Sequence, residues 1–425
     1  MSVTSSIRKY ITRYYPFALR NTSIRTLSEH IVSIPSSVII ANPDVCQSDD
    51  PHRYERYQYF LDQFISMEMQ RTILRDYRCI RTVEYTCESP TTKHQYKIII
   101  TYYLPISRRW SPNSQQMRLI NAYVSALFVM FFYLEHIESP YLKTVRDAPV
   151  QIYFCPTLFK KKITKEVCMR RPSDKPFVFD YDMVNSGYTS HASHATLWSN
   201  TSHASHATLW SNTSHASGVT DGDSGYIVIY RYEEFNRLLF HECIHYMGID
   251  GVNTSWTEWQ SFRDDSLKNV KGELRVFESY TDTWAIYWNI LIYQFLIGKT
   301  SKTTGFTSLW KKELQHQRDI VEYCMKCIGS ASLDTWIPNA PADTKREWNM
   351  KTPTFAYYIL KHGAFLRGST KVINEFPFGA TLWSRDKMQL WYQFCIDGIK
   401  MVSDKYRPRY RADDVLTTMS AIGFQ

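Results

Sequence analysis

The sequence predicts an α+β protein, with a small mixed β-sheet in its first half and a mainly helical second half. Three observations lead there. Runs rich in β-branched and aromatic residues, at 96–104 (YKIIITYYL), 150–155 (VQIYFC) and 226–230 (YIVIY), have the composition of strands. Helical patterns occupy 117–137, 231–247, 272–297, 308–328, 354–366 and 387–403. A composition of 44% apolar and 21% charged residues is that of a chain able to bury a core.

Taken in order, residues 1–90 read as an N-terminal extension, partly helical, and 91–425 as the main domain. The beginning is rich in Ser and Arg, has no acid before Glu29 and lacks the apolar centre of a secretory signal. It reads as a frayed basic arm, with a transit peptide as the competing reading. After the strand at 96–104, residues 117–137 lack Gly and Pro and are apolar enough for a mostly buried helix. Strands at 150–155, 177–181 and 226–230 follow.

Between the last two, residues 189–200 (TSHASHATLWSN) are repeated unchanged as 201–212, with a partial third copy at 213–217. A unit this short builds no solenoid, and its polar composition predicts an exposed, mobile loop over 189–217. Its histidines (His191, His194, His203, His206, His215) are weak metal ligands, because flexible imidazoles must first be ordered.

The longest apolar run, 284–297, is too short to cross a bilayer and predicts a buried helix. A soluble intracellular protein is expected, cytoplasmic or associated with a virion. The formal charge of +9 is moderate, and no nucleic-acid-binding motif accompanies the basic segment 160–175 (KKKITKEVCMRRPSDK). That segment is read as a solvated loop, and nucleic acid is disfavoured as a partner. Nine cysteines are too few for a dense disulfide framework, and the CxxC of Cys324 and Cys327 lacks a second pair to complete a zinc site.

The chemistry gathers at His241-Glu242-Cys243-Ile244-His245, an HExxH pattern on a predicted helix. Histidines four residues apart share one helical face, so both imidazoles can reach a single Zn2+ ion. The neighbouring Glu242 can take a proton from the water that the metal activates and pass it to a leaving amine. The competing reading is a helix carrying two satisfied core histidines.

A catalytic zinc needs a third protein ligand. In the extended pattern HExxHxxGxxH, Gly248 fits the glycine, but Gly251 stands where the last histidine belongs and Asp250 falls one residue short. The alternative is a glutamate from a later helix. Glu278 and Asp282 lie four apart in FESYTDTWA, 33 residues beyond His245, on a stretch otherwise too apolar to be exposed. Glu278 can complete a two-histidine, one-glutamate set, and Asp282 can accept the spare N–H of a zinc histidine, His241 foremost. Acids on a buried helix need such a reason.

HECIH followed by ESYTD resembles the gluzincin branch of zinc metallopeptidases, whose pattern is HExxH followed by ExxxD. More loosely, VNSGYT, the 226–250 stretch and FESYTDTWA are similar to metallopeptidases encoded by viruses. The resemblance spans residues 96–297 in element order and implies a zincin-like fold, with the sheet over the HExxH helix. It also implies peptide-bond hydrolysis and a peptide or protein substrate paired to an edge strand, which it places at YIVIY. The family's oxyanion-stabilising His or Tyr has no counterpart at a fixed spacing; Tyr246, Tyr357, Tyr358 and His362 are the candidates. The rival is a structural or virion assembly protein with zinc as a staple, since abundant aromatics and basic patches also suit contact with other protein chains.

Overall fold

The structure, a computed structural model, describes residues 3–31, 57–60, 65–106, 110–163, 168, 177–180, 183, 185–190, 225–252, 267–272, 274–297, 305–402, 406, 415–416 and 421–422. Its helices are α1 (Val3–Asn21), α2 (Met67–Asp76), α3 (Gln115–His136), α4 (Lys143–Asp147), α5 (Phe235–Met247), α6 (Val276–Ile297), α7 (Phe306–Ile328), α8 (Lys361–Arg367), α9 (Ser369–Glu375) and α10 (Arg385–Lys400). The strands are β1 (Ser23–Ile31), β2 (Cys79–Glu88), β3 (Gln95–Leu104), β4 (Val150–Phe154), β5 (Lys162–Ile163), β6 (Val178–Phe179), β7 (Gly187–Ser190), β8 (Tyr226–Ile229), β9 (Val270–Lys271), β10 (Trp348–Met350) and β11 (Val415–Leu416).

The main sheet has six strands in the order β1-β2-β3-β4-β8-β7. Its centre is parallel (β3, β4, β8), and antiparallel strands flank it on both sides. The α+β class and the mixed sheet agree with the sequence. Alternation of side chains assigns the faces. Ile98, Ile100, Val150, Ile152, Ile227 and Ile229 point into the large core with α3 and α5. On the other face, Ile80, Tyr103, Val228 and Tyr230 meet Met69, Ile73 and Leu74 of α2. Each such aliphatic side chain taken from water contributes about 1.5–3 kcal/mol. The apolar α3 is long enough to cross a membrane by length and composition, and here it is the mostly buried helix beneath the sheet.

Several expectations change. The proposed boundary near residue 90 falls in the turn between β2 and β3, which pair from Cys79↔Leu104 to Glu88↔Gln95. That turn is tied down by Glu135, which accepts hydrogen bonds from Ser89, Thr91 and Thr92. The described residues among the first 90 therefore share the sheet and the core. The frayed basic arm is instead α1, because Ile7, Tyr10, Ile11 and Ala18 form a buried stripe. Tyr10 and Tyr15 donate to carbonyls of Phe132 and Ala122 in α3. The strand expected at 177–181 joins a separate three-stranded sheet, β6-β10-β9. Lys161, expected in a solvated loop, is 1% exposed and paired with Glu234 at 2.8 Å. Cys327 of the CxxC is disulfide-bonded to Cys168, while Cys324 is a buried thiol. Thr189 and Ser190, the first residues of the duplicated segment, belong to β7; the rest of that segment, with its five histidines, lies outside the described residues.

Two features set the helices that carry the site. Gly363 of α8 and Gly398 of α10 touch backbone to backbone: a Cβ on either would stand 2.0 Å from a carbonyl oxygen of the other helix. That contact seats α8 against α10, while α8 and the π turn Ala356–Leu360 before it also pack against α6. The second feature is the segment 421–422. Glu313 of α7 accepts hydrogen bonds from the amides of Ala421 (2.9 Å) and Ile422 (3.1 Å), while Asn236 of α5 and Asn289 of α6 both donate to the Ile422 carbonyl. These buried groups tie α5, α6 and α7 together. Glu313→Ala removes the acceptor of one buried amide, Ile422, at about 1–3 kcal/mol, and of one half-buried amide, Ala421, at less, so denaturant unfolding should show a loss of about 1–4 kcal/mol. A loss below about 1 kcal/mol would mean that water replaces the carboxylate.

Candidate metal centre

The α5 helix ends where its sequence provides a stop. Gly248 adopts φ 71° as the left-handed C-cap, where the missing Cβ removes the strain. Every residue of α5 is buried, so its polar side chains must find partners within the protein. His241 and His245 point together toward α6, where Glu278 sits in the first turn and Asp282 one turn later.

His245 Nε2 lies 3.1 Å from His241 Nε2 and 3.0 Å from Glu278 Oε2, and His241 Nε2 lies 3.4 Å from the same oxygen. Ligand atoms about 2.0–2.1 Å from a tetrahedral ion stand about 3.3–3.4 Å apart. The observed triangle is within a few tenths of an ångström of that spacing. These three buried side chains could hold a metal ion.

Each histidine is fixed from behind. His241 Nδ1 lies 3.1 Å from Asp282 Oδ1, and His245 Nδ1 lies 2.5 Å from Asp250 Oδ2. An ionised carboxylate only accepts, so each bond keeps a proton on Nδ1 and leaves the Nε2 lone pair for an ion. Asp250 is held in turn by the Thr281 hydroxyl at 2.8 Å and the Val252 amide at 3.2 Å. Asp282 is 0% exposed and contacts two buried cations, Arg237 through Oδ1 and Lys361 through Oδ2 at 2.6 Å. Arg237 also faces Glu234, which pairs with Lys161, so a line of alternating charge runs back from His241 to the loop after β4.

The electrostatics follow from this arrangement. Burial pushes the Glu278 carboxyl up, but His245 and His241 outweigh it and hold Glu278 well below the usual carboxylate range. Burial likewise opposes ionisation of Asp282, and Arg237 and Lys361 overcome it. Burial lowers both histidines, yet the carboxylates beside them raise His241 above, and His245 well above, the ordinary imidazole value. Metal uptake at this cluster would therefore compete with protons.

Glu242, next to the ligand His241, packs against β7. Its Oε2 accepts a hydrogen bond from Thr189 Oγ1 at 2.8 Å, and the same hydroxyl lies 3.0 Å from the Glu242 carbonyl oxygen. Gly187, two residues earlier on the same strand face, packs over the other oxygen; a Cβ there would lie 3.3 Å from Oε1 and 2.7 Å from the Val228 carbonyl.

Of the four oxyanion candidates, the fold brings Tyr357 to the ligands: its hydroxyl donates to Glu278 Oε2 at 3.0 Å. Burial, then Glu278 and Glu242, hold its phenol well above the ordinary value, so it stays a donor. Tyr246 and Tyr358 are buried in the core. His362 pairs through Nε2 with Tyr406 and is held down to about 3 by burial, with Lys361 and Arg318 adding to it.

Sequence reasoning missed Asp250, Arg237, Lys361 and Thr189. Arg237 lies four residues before His241 on the same face, and Lys361 four after Tyr357, so spacing offered a signal for both once Asp282 was in view. Asp250 was weighed only as a metal ligand; the reversal at Gly248 instead returns it behind His245. YIVIY is not the edge strand. β8 is bracketed by β4 and β7, and among the described residues β7 forms the edge beside α5. Compared with models of known protein families, with curated proteins and with solved structures, the chain matches none.

Proposed function

We propose that this chain is a zinc-dependent peptidase of the zincin-like, gluzincin type, with His241, His245 and Glu278 as ligands and Glu242 as the general base. The observation that carries the proposal is the convergence of two imidazole nitrogens of α5, the helix that also bears Glu242, and one carboxylate oxygen of α6 within 4.8 Å of one another. Two histidines and a glutamate, with a fourth position left open, are the donor set of a catalytic zinc. A base beside the ligands favours catalysis over a purely structural ion, which has no use for one.

Held by His241, His245 and Glu278, a zinc ion would supply acidification of water and polarisation of a substrate carbonyl. The chain's own residues do the rest. Asp282 and Asp250 orient the two imidazoles. Glu242 takes the proton of the attacking water and delivers it to the leaving amine. Tyr357, kept protonated and within 3.0 Å of the ligand oxygen of Glu278, donates to the developing oxyanion. An extended peptide lies along β7, its backbone pairing with the strand edge next to the base.

The test is hydrolysis of a quenched-fluorescent peptide mixture by the full chain, abolished by a chelator and restored by stoichiometric zinc. In the same assay Tyr357→Phe should lower kcat by about 100- to 1,000-fold, the range for one oxyanion donor. Cleavage that survives metal removal would refute the zinc reading.

A further inference from the structure

The two histidines are each held from behind by a carboxylate, and Glu242 has its own support from a different element. We propose that Thr189, on the edge strand, is the positioning residue for Glu242: its hydroxyl fixes one carboxylate oxygen so that the other is presented to the reacting water. The inference rests on the peptidase reading for its kinetics, and on geometry alone for its structure.

The geometry is specific. In the antiparallel register Thr189↔Ile227 and Gly187↔Ile229, residues 187 and 189 share the face of β7 that looks at α5. Thr189 Oγ1 is 2.8 Å from Glu242 Oε2. Gly187 supplies no side chain, so Oε1 has room, and no hydrogen bond to Oε1 is formed among the described residues. One oxygen is therefore anchored and the other available. A carboxylate with a single anchored oxygen loses rotamer freedom without being capped, which is what proton transfer in a fixed direction requires.

The arrangement also joins two tasks in one strand. The backbone of β7 lies at the sheet edge where a peptide is proposed to pair, and its inward side chains seat the base. Substrate and base then share a reference frame, so a shift of the strand moves both together. Thr189 acts through Glu242 and touches no ligand in the triangle.

The experiment compares wild type with Thr189→Val, which keeps the shape and removes the hydroxyl, and Thr189→Ser, which keeps the hydroxyl; Thr189→Ala is the reserve should Val fail to fold. All are zinc-loaded full chains. Crystal structures should show one Glu242 rotamer in wild type and Thr189→Ser, and a displaced or split carboxylate in Thr189→Val. With the peptide mixture, Thr189→Val should lose about 10- to 100-fold in kcat, with KM within about twofold and zinc stoichiometry unchanged, and Thr189→Ser should recover most of that loss. An unmoved single rotamer in Thr189→Val, or a kcat within about twofold of wild type, overturns the inference. If wild type cleaves none of the peptides, the peptidase reading fails, and the crystallographic comparison alone decides the role of Thr189.

Discussion

Replacing Asp282 with Ala is expected to cost most of the protein's stability. The carboxylate is 0% exposed and is the shared partner of Arg237, Lys361 and the Nδ1 of His241. Its removal takes the nearest carboxylate from two cations, each 2% exposed or less, and leaves Arg237 only the longer 3.6 Å pair with Glu234 among the ion pairs described. Orphaning one buried charge costs about 3–5 kcal/mol, and folded chains have only about 5–15 kcal/mol in total. Thermal unfolding should therefore show a large drop in Tm, or no cooperative transition. Adding Lys361→Met to Asp282→Ala should restore part of the loss, since one orphaned cation is then gone. An Asp282→Ala protein as stable as wild type would mean that the charges are not buried as described.

The same group sets the response to acid. The Asp282 carboxyl is held below its ordinary value, so its contribution is complete above the unfolded value of about 4 and is lost as pH falls through the depressed one. Glu234, lowered to about 2 by Lys161 and Arg237 against the opposing effect of burial, behaves alike. Stability should fall as pH drops below about 4.5, with the sharpest loss toward pH 2.

The second large effect concerns chemistry. Glu242→Gln keeps the size and one acceptor oxygen of the side chain, so Thr189 can still donate to it and the fold should be unchanged. The amide cannot take a proton. Hydrolysis should fall by about 100- to 10,000-fold while zinc stays bound at full stoichiometry. Unchanged hydrolysis would remove Glu242 from the mechanism. A wild type that binds zinc, cleaves nothing and co-assembles with other chains would favour the rival in which zinc is a staple.

What the sequence made legible follows from periodicity. Helical spacing put His241 with His245 and Glu278 with Asp282 on single faces, and the α5–α6 packing brings those faces together as expected. Apolar runs located α3, β3, β4 and β8 for the same reason: burial imposes the pattern. Legibility failed where the partner is remote and the local pattern weak. β7 is four residues of GYTS, too short and polar to stand out, and it becomes a strand because β8 supplies its hydrogen bonds. Lys161 looked like part of a basic loop, since nothing near it in sequence announces Glu234, 73 residues away. Tyr357 could not be chosen over Tyr358 without the π turn that aims it at Glu278.

The central claim is that His241, His245 and Glu278 hold one zinc ion. Metal analysis of the purified wild type beside His241→Ala and Glu278→Ala tests it most directly. The account predicts one zinc per chain in wild type and its loss from both variants while they stay folded. A wild type without stoichiometric zinc, or a Glu278→Ala protein that retains it in full, would contradict it.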